Sequence, residues 1–277
     1  MSIAFVTDST ADIPADLAAR RAIEVIPAIV NVDGHSYEDG TGISREEFYR
    51  LLPKLATPPT TSAPSVGSFQ ECYERLLRAG ASTVLSFHPP DKLSGIFNAA
   101  RLAAENFGER VRVLDSGQLS LGLGFQVLMA AEAVTRGAIL EETLALVNSV
   151  RQRVRLAALL DTIEYVRRSG RVSWAKAMLG NLLHIQPLIG LRFGIVERMG
   201  QVRTRGQGIL HLMDTLNSWG HLERLAVLHT NAEAAACLLL EELKSRVAVP
   251  PLLVNVTTVI GTHVGPNALG FVAVPAE

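Results

Sequence analysis

Four short segments, far apart in the chain, each place hydroxyl groups or a basic side chain next to a predicted apolar strand. Small hydroxyl side chains and free backbone N–H groups on loops can be directed at one anionic group, which side chains packed in a core cannot do. The chemistry that these residue types predict is the binding of a carboxylate or a phosphate. The four segments are residues 7–10 (Thr-Asp-Ser-Thr), 61–65 (Thr-Ser-Ala-Pro-Ser), 93–95 (Leu-Ser-Gly) and 261–266 (Gly-Thr-His-Val-Gly-Pro).

Two of these segments stand immediately before predicted helices. Thr61, Ser62 and Ser65 precede one helix, and Ser94 with Gly95 begins another. A helix N-terminus offers free N–H groups and a partial positive charge, and a hydroxyl at that point also caps the helix. Capping and anion binding are compatible, so Ser65 can cap its helix while Thr61 or Ser62 binds an oxygen. Two helix starts directed at one carboxylate would form a charge-assisted clamp.

Two further loops are expected to support the site. Asp8 and Ser9 follow the first predicted strand, and Asp115 and Ser116 follow the fourth. In a doubly wound sheet the ligand lies beyond the carboxyl ends of the strands, so these loops should meet Ser94 at one rim. Asp8 would repel an anion, and its expected role is therefore to orient neighbouring hydroxyls or amides. The competing interpretation is an ordinary loop or helix-cap aspartate.

Basic side chains that could face an anion occur in two places. Arg171 ends a cluster over residues 167–171 (Arg-Arg-Ser-Gly-Arg), which is typical of a solvated helix end but leaves open that one arginine faces the ligand. His263 lies between two glycines and before Pro266, a pattern that predicts a constrained loop presenting the imidazole to a ligand. A surface histidine without such a role is the alternative.

Signatures of self-sufficient enzymes are missing from the sequence. There is no Gly-x-x-x-x-Gly-Lys phosphate loop, no His-Glu-x-x-His zinc motif and no Gly-x-Ser-x-Gly elbow. Gly122 and Gly124 are followed by Val127, where a dinucleotide-binding fingerprint needs a third small residue. Hydroxyls without a nearby general base are poor nucleophiles, so we expect a binding protein with no catalytic residue, no metal ligand and no cofactor.

The composition limits the partners and the location. The chain has 277 residues with 26 basic and 27 acidic side chains, so no overall charge favours nucleic acid or an anionic membrane surface. Hydrophobic residues make up 48% and aromatic residues 5%, which fits either a parallel-sheet core or a pocket for an aliphatic ligand. The apolar stretches are shorter than the roughly 20 residues of a spanning helix, and the first residues do not resemble a secretory signal. We therefore expect a cytoplasmic protein without an integral membrane segment, with Cys72 and Cys237 as reduced thiols.

Alternating strand and helix patterns predict an α/β fold with two domains. Residues 1–150 should form a largely parallel sheet flanked by helices, and residues 151–277 a mixed sheet with helices. Pro27 falls inside the second predicted strand, which indicates an edge position or a bulge there. This second strand is expected to be continuous over residues 23–32. The other expected features are a long turn over 33–40, helical spacing over 119–158 and a hairpin over 185–205.

Six motifs occur in a compatible order along the chain, namely residues 5–10 (Phe-Val-Thr-Asp-Ser-Thr), 61–65, 93–95, 114–116 (Leu-Asp-Ser), 168–171 (Arg-Ser-Gly-Arg) and 261–266. Together they closely resemble the DegV family, nearly end to end. The resemblance implies two α/β domains that enclose a long-chain fatty acid between them. Well-studied members resemble the fatty-acid-binding subunits of bacterial fatty acid kinase, which present the acyl carboxylate to a separate ATP-dependent kinase protein and then carry the acyl phosphate. The chain would then be a lipid-binding subunit and not itself an enzyme.

The same resemblance implies roles for individual residues. Arg171 and His263 would lie at the phosphoryl end or against the partner, where a cation favours the added negative charge of an acyl phosphate. The acyl tail would occupy an apolar tunnel, which the aliphatic composition can supply. The residues assigned to the carboxylate are Thr61 and Ser94, with Ser62 and Gly95 nearby.

The sequence departs from the family pattern around two of these motifs. Residues 87–92 (Phe-His-Pro-Pro-Asp-Lys) stand where small and hydroxyl residues are common, and Ile96 stands where a threonine is common. Within the first departure, His88 is either an extra donor to the head group or an ordinary loop histidine. Ser169 replaces the first glycine of an Arg-Gly-Gly-Arg motif, which can alter the turn before Arg171.

Three functions stay open from the sequence. The first is a fatty-acid-binding protein that docks on a kinase partner and has no catalysis of its own. The alternative is a stand-alone enzyme on a small phosphorylated or acyl metabolite, with His263 as general acid or base and the hydroxyl loops as an oxyanion clamp. A third is a sensor whose lipid occupancy alters a protein contact.

Overall fold

The computed structural model describes residues 2–177 and 185–277, which form strands and helices in alternation. The strands are β1 (Ile3–Asp8), β2 (Ile23–Ile26), β3 (Ile29–Val32), β4 (His35–Glu38), β5 (Thr60–Ser62), β6 (Thr83–His88), β7 (Val111–Asp115), β8 (Arg155–Leu159), β9 (Gln186–Arg192), β10 (Ile195–Val202), β11 (Leu222–His229), β12 (Leu252–Asn255) and β13 (Leu269–Pro275). The helices are α1 (Ala15–Arg20), α2 (Arg45–Leu51), α3 (Val66–Arg78), α4 (Ile96–Ala104), α5 (Leu121–Thr135), α6 (Leu140–Arg153), α7 (Glu164–Ser169), α8 (Ser173–Ala177), α9 (Arg205–Ser218), α10 (Glu233–Leu243) and α11 (Thr258–Val264).

A four-stranded parallel sheet in the order β2-β1-β6-β7 forms the N-terminal layer. Its central strand β6 is buried along its whole length, which is the pattern that a parallel sheet covered on both faces requires. Helices α3 and α4 pack on one face, and α5 packs on the other. The predicted parallel sheet with flanking helices is confirmed.

A six-stranded sheet in the order β10-β9-β8-β13-β11-β12 forms the second layer. Its neighbours are antiparallel except β11 and β12, which are parallel. Helices α9 and α10 cover one face of this sheet. The predicted hairpin is present, because β9 turns into β10 at Phe193 and Gly194, both with positive φ. The mixed sheet and the α/β fold class are confirmed.

A small three-stranded antiparallel sheet, β4-β3-β5, was not expected. The prediction of one strand over residues 23–32 is wrong, because the chain leaves the parallel sheet at Pro27 and continues as β3 in the small sheet. Pro27 has no N–H for a ladder bond, which explains the break. The predicted long turn over residues 33–40 is also wrong. Asp33 and Gly34 have positive φ and make a tight turn, and β4 follows directly.

Two other segments differ from the sequence interpretation. Residues 155–158 were expected to be helical but belong to β8, because this segment pairs with β9 and β13 on its two sides. Residues 261–264 were expected in a loop but form the end of α11. Helices α5 and α6 share one hydrophobic core with strands of both large sheets. The division of the chain near residue 150 stays a prediction.

Candidate ligand-binding site

A pocket of about 610 Å³ lies between one face of the six-stranded sheet and the loops that follow the parallel strands β1 and β6. Its volume is within the roughly 300–1,000 Å³ that is usual for small-molecule sites. Helix α11, the end of α7 and the segment around β5 also line it. The pocket therefore lies between the two large sheets, as expected for the ligand.

Small side chains form the floor of this pocket. Ala158 and Gly270 pair in neighbouring strands and face the pocket, and the larger Ile189 and Leu228 flank them in the same row of the sheet. Burial of aliphatic surface against such a floor is favourable, whereas a charged group there would lose its hydration. The lining continues with aliphatic residues that include Leu156, Leu160, Val172, Leu191, Val259 and Ile260.

Polar and basic residues also line the pocket. Six of the lining residues are here called the polar mouth, namely Thr61, Ser62, Ser94, Gly95, Arg171 and His263. The structure thus brings together all six residues that the sequence assigned to the carboxylate and phosphoryl ends. They come from β5, from the loop before α4, from the chain after α7 and from α11. Their individual contacts with a ligand stay predictions.

Thr61 and His263 form the central contact of the polar mouth. The Thr61 Oγ1 and His263 Nε2 atoms are 3.0 Å apart and join β5 to the last turn of α11. Burial and the nearby Arg171 guanidinium lower the pKa of His263 from 6.5 to about 4. The imidazole is therefore neutral at pH 7, and it can hold the Thr61 hydroxyl by one hydrogen bond without adding a positive charge.

Two other groups of the mouth, Arg171 and Ser94, are positioned locally. Gly170 ends α7 with φ 72°, and this turn places Arg171 at the pocket, where its guanidinium donates to the Ser169 carbonyl oxygen at 2.6 Å. Arg168 instead forms an ion pair with Glu164 within α7. Ser94 Oγ accepts a hydrogen bond from the Ile96 N–H at 3.3 Å, so this hydroxyl lies at the beginning of α4. The basic cluster therefore splits, with Arg171 at the pocket lining and Arg168 paired on the surface.

The four residues expected in supporting loops do not line the pocket. Asp8 is fully buried and accepts hydrogen bonds from the N–H and hydroxyl of Thr10, which does line it. Ser9 Oγ accepts from the Ala28 N–H, and Ser116 Oγ donates to the His88 carbonyl oxygen. Asp115 accepts from the Gly117 N–H. These groups hold the loops in place. Asp8 caps the short 3-10 turn Ser9–Ala11, which is the competing interpretation of this residue, and it also orients the Thr10 hydroxyl.

Sequence reasoning missed the polar residues that hold the start of α11. Asp12 accepts hydrogen bonds from the Thr257 N–H at 2.9 Å and from the hydroxyl of Ser120, a pocket-lining residue, at 2.6 Å. Asp39 accepts from the Thr258 N–H and hydroxyl. Complete burial raises the pKa of Asp12 from 3.8 to about 7. No sequence signal could reveal these contacts, because Thr257 and Thr258 lie more than two hundred residues from their partners and Ser120 lies 108 residues from Asp12.

Comparison with known proteins identifies the family of this chain. A family model described as "Uncharacterised protein, DegV family" matches residues 2–276. The chain belongs to the DegV family. A DegV domain-containing protein of Streptomyces coelicolor is 35% identical over 274 residues, covering 98% of this chain and 97% of the relative.

Solved structures of DegV family proteins have the same fold. One from Thermus thermophilus, described by its fatty acid binding, has a TM-score of 0.92 at 34% identity and covers 100% of both chains. DegV from Bacillus subtilis, described as a fatty acid binding protein, has a TM-score of 0.87 at 31% identity and covers 99% of both chains. The resemblance to the DegV family and the fold that it implied are confirmed.

The first departure from the DegV pattern has a structural explanation at His88. This side chain is fully buried at the end of β6, so the interpretations as a loop histidine and as a head-group donor are both wrong. Its Nδ1 lies 2.7 Å from Asp8 Oδ2, and its Nε2 lies 2.7 Å from Ser86 Oγ. The hydrogen-bonded series Ser86, His88 and Asp8 resembles a Ser-His-Asp triad. Ser86 is 0% exposed and hydrogen-bonded to the Tyr73 hydroxyl, so no substrate can reach it. This network joins β1 to β6 inside the DegV fold.

The part of this DegV protein that the structure describes contains neither a membrane-spanning helix nor a metal-binding group. None of the helices in residues 2–177 and 185–277 is long and apolar enough to cross a membrane. Within the same ranges, no group of three or more histidine, cysteine, aspartate or glutamate residues is arranged to hold a metal ion. Cys72 and Cys237 are both free thiols.

Proposed function

We propose that this protein binds a long-chain fatty acid, with the carboxylate at the polar mouth and the acyl chain in the aliphatic part of the pocket. The observation that carries the proposal is one pocket whose lining combines many aliphatic side chains with hydroxyl and basic groups. A ligand with a single anionic end and an aliphatic body fits both. The related proteins from Thermus thermophilus and Bacillus subtilis, described as binding fatty acids, support the same ligand class.

The two kinds of lining residue contribute to binding in different ways. Each buried methylene group contributes about 0.8 kcal/mol, so the acyl chain supplies most of the affinity. Hydrogen bonds from Thr61 and Ser94 to the carboxylate contribute roughly 1.5 to 3 kcal/mol each and fix which end of the ligand lies at the mouth. Arg171 is exposed, so the anion keeps a cation beside it without being sealed from solvent.

The proposal extends to a reaction carried out with a second protein. The bound carboxylate would be presented to a separate ATP-dependent kinase, in which a carboxylate oxygen attacks the terminal phosphorus of ATP and ADP leaves. The acyl phosphate carries more negative charge than the carboxylate, and Arg171 at the mouth favours that change. Nothing in this step requires a catalytic group from the present chain.

The alternative of a stand-alone enzyme has less support from the geometry. A general base works best when its pKa is near the working pH. Burial and Arg171 bring the pKa of His263 to about 4, which makes it a weak base at neutral pH. The large aliphatic surface would also have no use in a site for a small phosphorylated metabolite, and a short acyl group would cover only part of it.

The test of fatty acid binding is mass spectrometry of the small molecules released by denaturing the purified protein. Wild type should carry a fatty acid near one equivalent, and the Thr61→Val, Ser94→Ala double variant should be depleted. Thr60→Val is the matched control, because Thr60 neighbours Thr61 in β5 but does not line the pocket. A folded double variant that retains the full lipid content would refute the mouth assignment, and a wild type that takes up no fatty acid would refute the function.

The kinase step needs its own experiment. Fatty-acid-loaded protein should form acyl phosphate from ATP only when an ATP-dependent kinase protein is added. ATP-dependent turnover by the present chain alone would favour the stand-alone enzyme.

A further inference from the structure

Helix α11 carries His263 but is too short to hold that side chain in place by itself. It spans only Thr258–Val264, and isolated helices below roughly 12–15 residues are marginal in water. Its position must therefore come from contacts with the rest of the protein. Three oxygens hold its first N–H groups, namely those of Asp12 on Thr257, Asp39 on Thr258 and Thr257 on Ile260.

Asp39 makes the shortest link between this helix and the small three-stranded sheet. Its Oδ1 accepts from the Thr258 N–H at 3.0 Å and from the Thr258 hydroxyl at 2.7 Å. Asp39 directly follows β4, and its own N–H donates to the Ala28 carbonyl oxygen just before β3. The residue is 5% exposed, so both bonds are shielded from water.

The same small sheet carries Thr61, the partner of His263. Thr61 lies in β5 and pairs with Val30 of β3, while β4 pairs with the other edge of β3. Helix α11 is thus bonded to this sheet at both of its ends, through Asp39 at its first residue and through Thr61 at His263. Between them, Gly261 lies so close to Tyr49 that a Cβ atom would be 2.2 Å from the Tyr49 hydroxyl.

Asp12 holds the neighbouring residue from a different direction. It comes from the loop after β1, accepts from the Thr257 N–H, and is paired with Arg45 at 3.4 Å. This contact fixes the start of α11 to the parallel sheet. It does not fix the position of α11 relative to the three-stranded sheet that carries Thr61.

We propose that Asp39 is a positioning residue of the ligand site, which fixes α11 on the three-stranded sheet and so keeps His263 against Thr61 at the polar mouth. The expected effect of Asp39 on ligand binding rests on the proposed fatty acid function. Its expected effect on His263 does not. If the role of Asp39 were purely structural, replacing it would lower the stability of the protein. The ligand affinity and the pKa of His263 in the folded protein would stay unchanged.

The test compares three variants in two assays. Asp39→Ala removes both acceptor bonds, whereas Asp39→Asn keeps an oxygen that can accept them and should behave like wild type. Thr204→Ala removes a comparable cap at α9, on the far side of the six-stranded sheet, and serves as the control. The assays are the fatty acid dissociation constant from calorimetry with lipid-free protein and the pKa of His263 from the pH dependence of its NMR signal. Both are measured well below the unfolding temperature.

The expected result for Asp39→Ala is at least a tenfold weaker affinity, together with a His263 pKa that moves from about 4 toward 6.5 as the ring becomes exposed. Wild-type values of both in a folded Asp39→Ala protein would overturn the proposal. If Asp39→Ala does not fold, Thr258→Val decides, because it deletes one of the two bonds at nearly constant volume. Unchanged affinity and unchanged His263 titration in Thr258→Val would then refute the role. A wild type that binds no fatty acid would refute the proposed function alone, since the His263 titration needs no ligand.

Discussion

Replacing His263 by glutamine should change how the stability of this protein depends on pH. Glutamine keeps an amide that can bond to Thr61 but cannot take up a proton. The wild-type imidazole is neutral in the folded protein because burial and the adjacent Arg171 oppose its protonation. Its charge state, and not the loss of one hydrogen bond, should therefore dominate the difference between the two proteins.

The size of this effect follows from the two pKa values of the imidazole. The pKa is about 4 in the folded protein and 6.5 in the unfolded chain, so between these pH values the unfolded chain binds a proton that the folded protein excludes. Stability from the neutral ring is complete above pH 6.5 and is lost as the pH falls toward 4. At about 1.4 kcal/mol for each pKa unit, the loss is about 3 kcal/mol.

The assay is urea unfolding of wild type and His263→Gln from above pH 6.5 down to pH 4. Other groups also titrate, and Asp12 acts in the opposite direction. Its pKa is raised from 3.8 to about 7, so its contribution to stability decreases as the pH rises through that range. Because Asp12 is present in both proteins, its effect cancels in the difference between their unfolding free energies.

The unfolding free energy of wild type minus that of His263→Gln should fall by about 3 kcal/mol as the pH falls, so the wild type loses stability relative to the variant. His221→Gln, at an exposed position, is the matched control for the substitution itself. A difference that stays constant from pH 6.5 to pH 4 would show that His263 is not held neutral by its surroundings. The reasoning about the electrostatics of the polar mouth would then be refuted.

Two substitutions test the pocket and the helix beside it. Ala158→Leu adds three carbons to the pocket floor and should shorten the longest acyl chain that co-purifies by about three carbons. Ala158→Gly is the control and should not shorten it. An unchanged chain-length profile in the leucine variant would contradict the floor assignment. Gly261→Ala places a Cβ 2.2 Å from the Tyr49 hydroxyl and should lower the unfolding free energy by about 1–3 kcal/mol, as overpacking does. Gly67→Ala in α3 meets only the Ser65 hydroxyl at 3.6 Å and is the control; equal stability of both alanine variants would refute the clash.

The sequence predicted those parts of the fold whose cause is local. The strands β1 and β6 are apolar runs that end in polar loops, and Ser65 caps α3 through the Ser68 N–H as its position suggested. The polar-mouth residues were selected in two steps, because hydroxyl and basic groups beside predicted strands and helix starts pointed to an anion and the DegV resemblance then implied individual roles. The parallel sheet places only Ser94 and Gly95, which follow β6 in the loop before α4. Thr61, Arg171 and His263 reach the pocket from β5, from the end of α7 and from α11.

The features that the sequence did not predict depend on contacts between distant residues. Gly261 and Gly265 made residues 261–266 resemble a loop, yet α11 forms because Asp12 and Asp39 bind its first N–H groups. Residues 155–158 have no feature that separates a strand from a helix, and their partners β9 and β13 decide the outcome. The burial of His88 was not predicted because its partner Asp8 lies 80 residues away in the chain.

The arrangement of charge at the polar mouth favours holding an anion over activating one. Arg171 supplies a cation at the opening, and its field helps to keep His263 neutral. Thr61 is then paired with an uncharged imidazole, so its hydroxyl is oriented but not deprotonated. An anion placed here gains a cation and hydroxyl groups, beside an exposed Arg171. A site built in this way suits a ligand that is to be presented to a second protein.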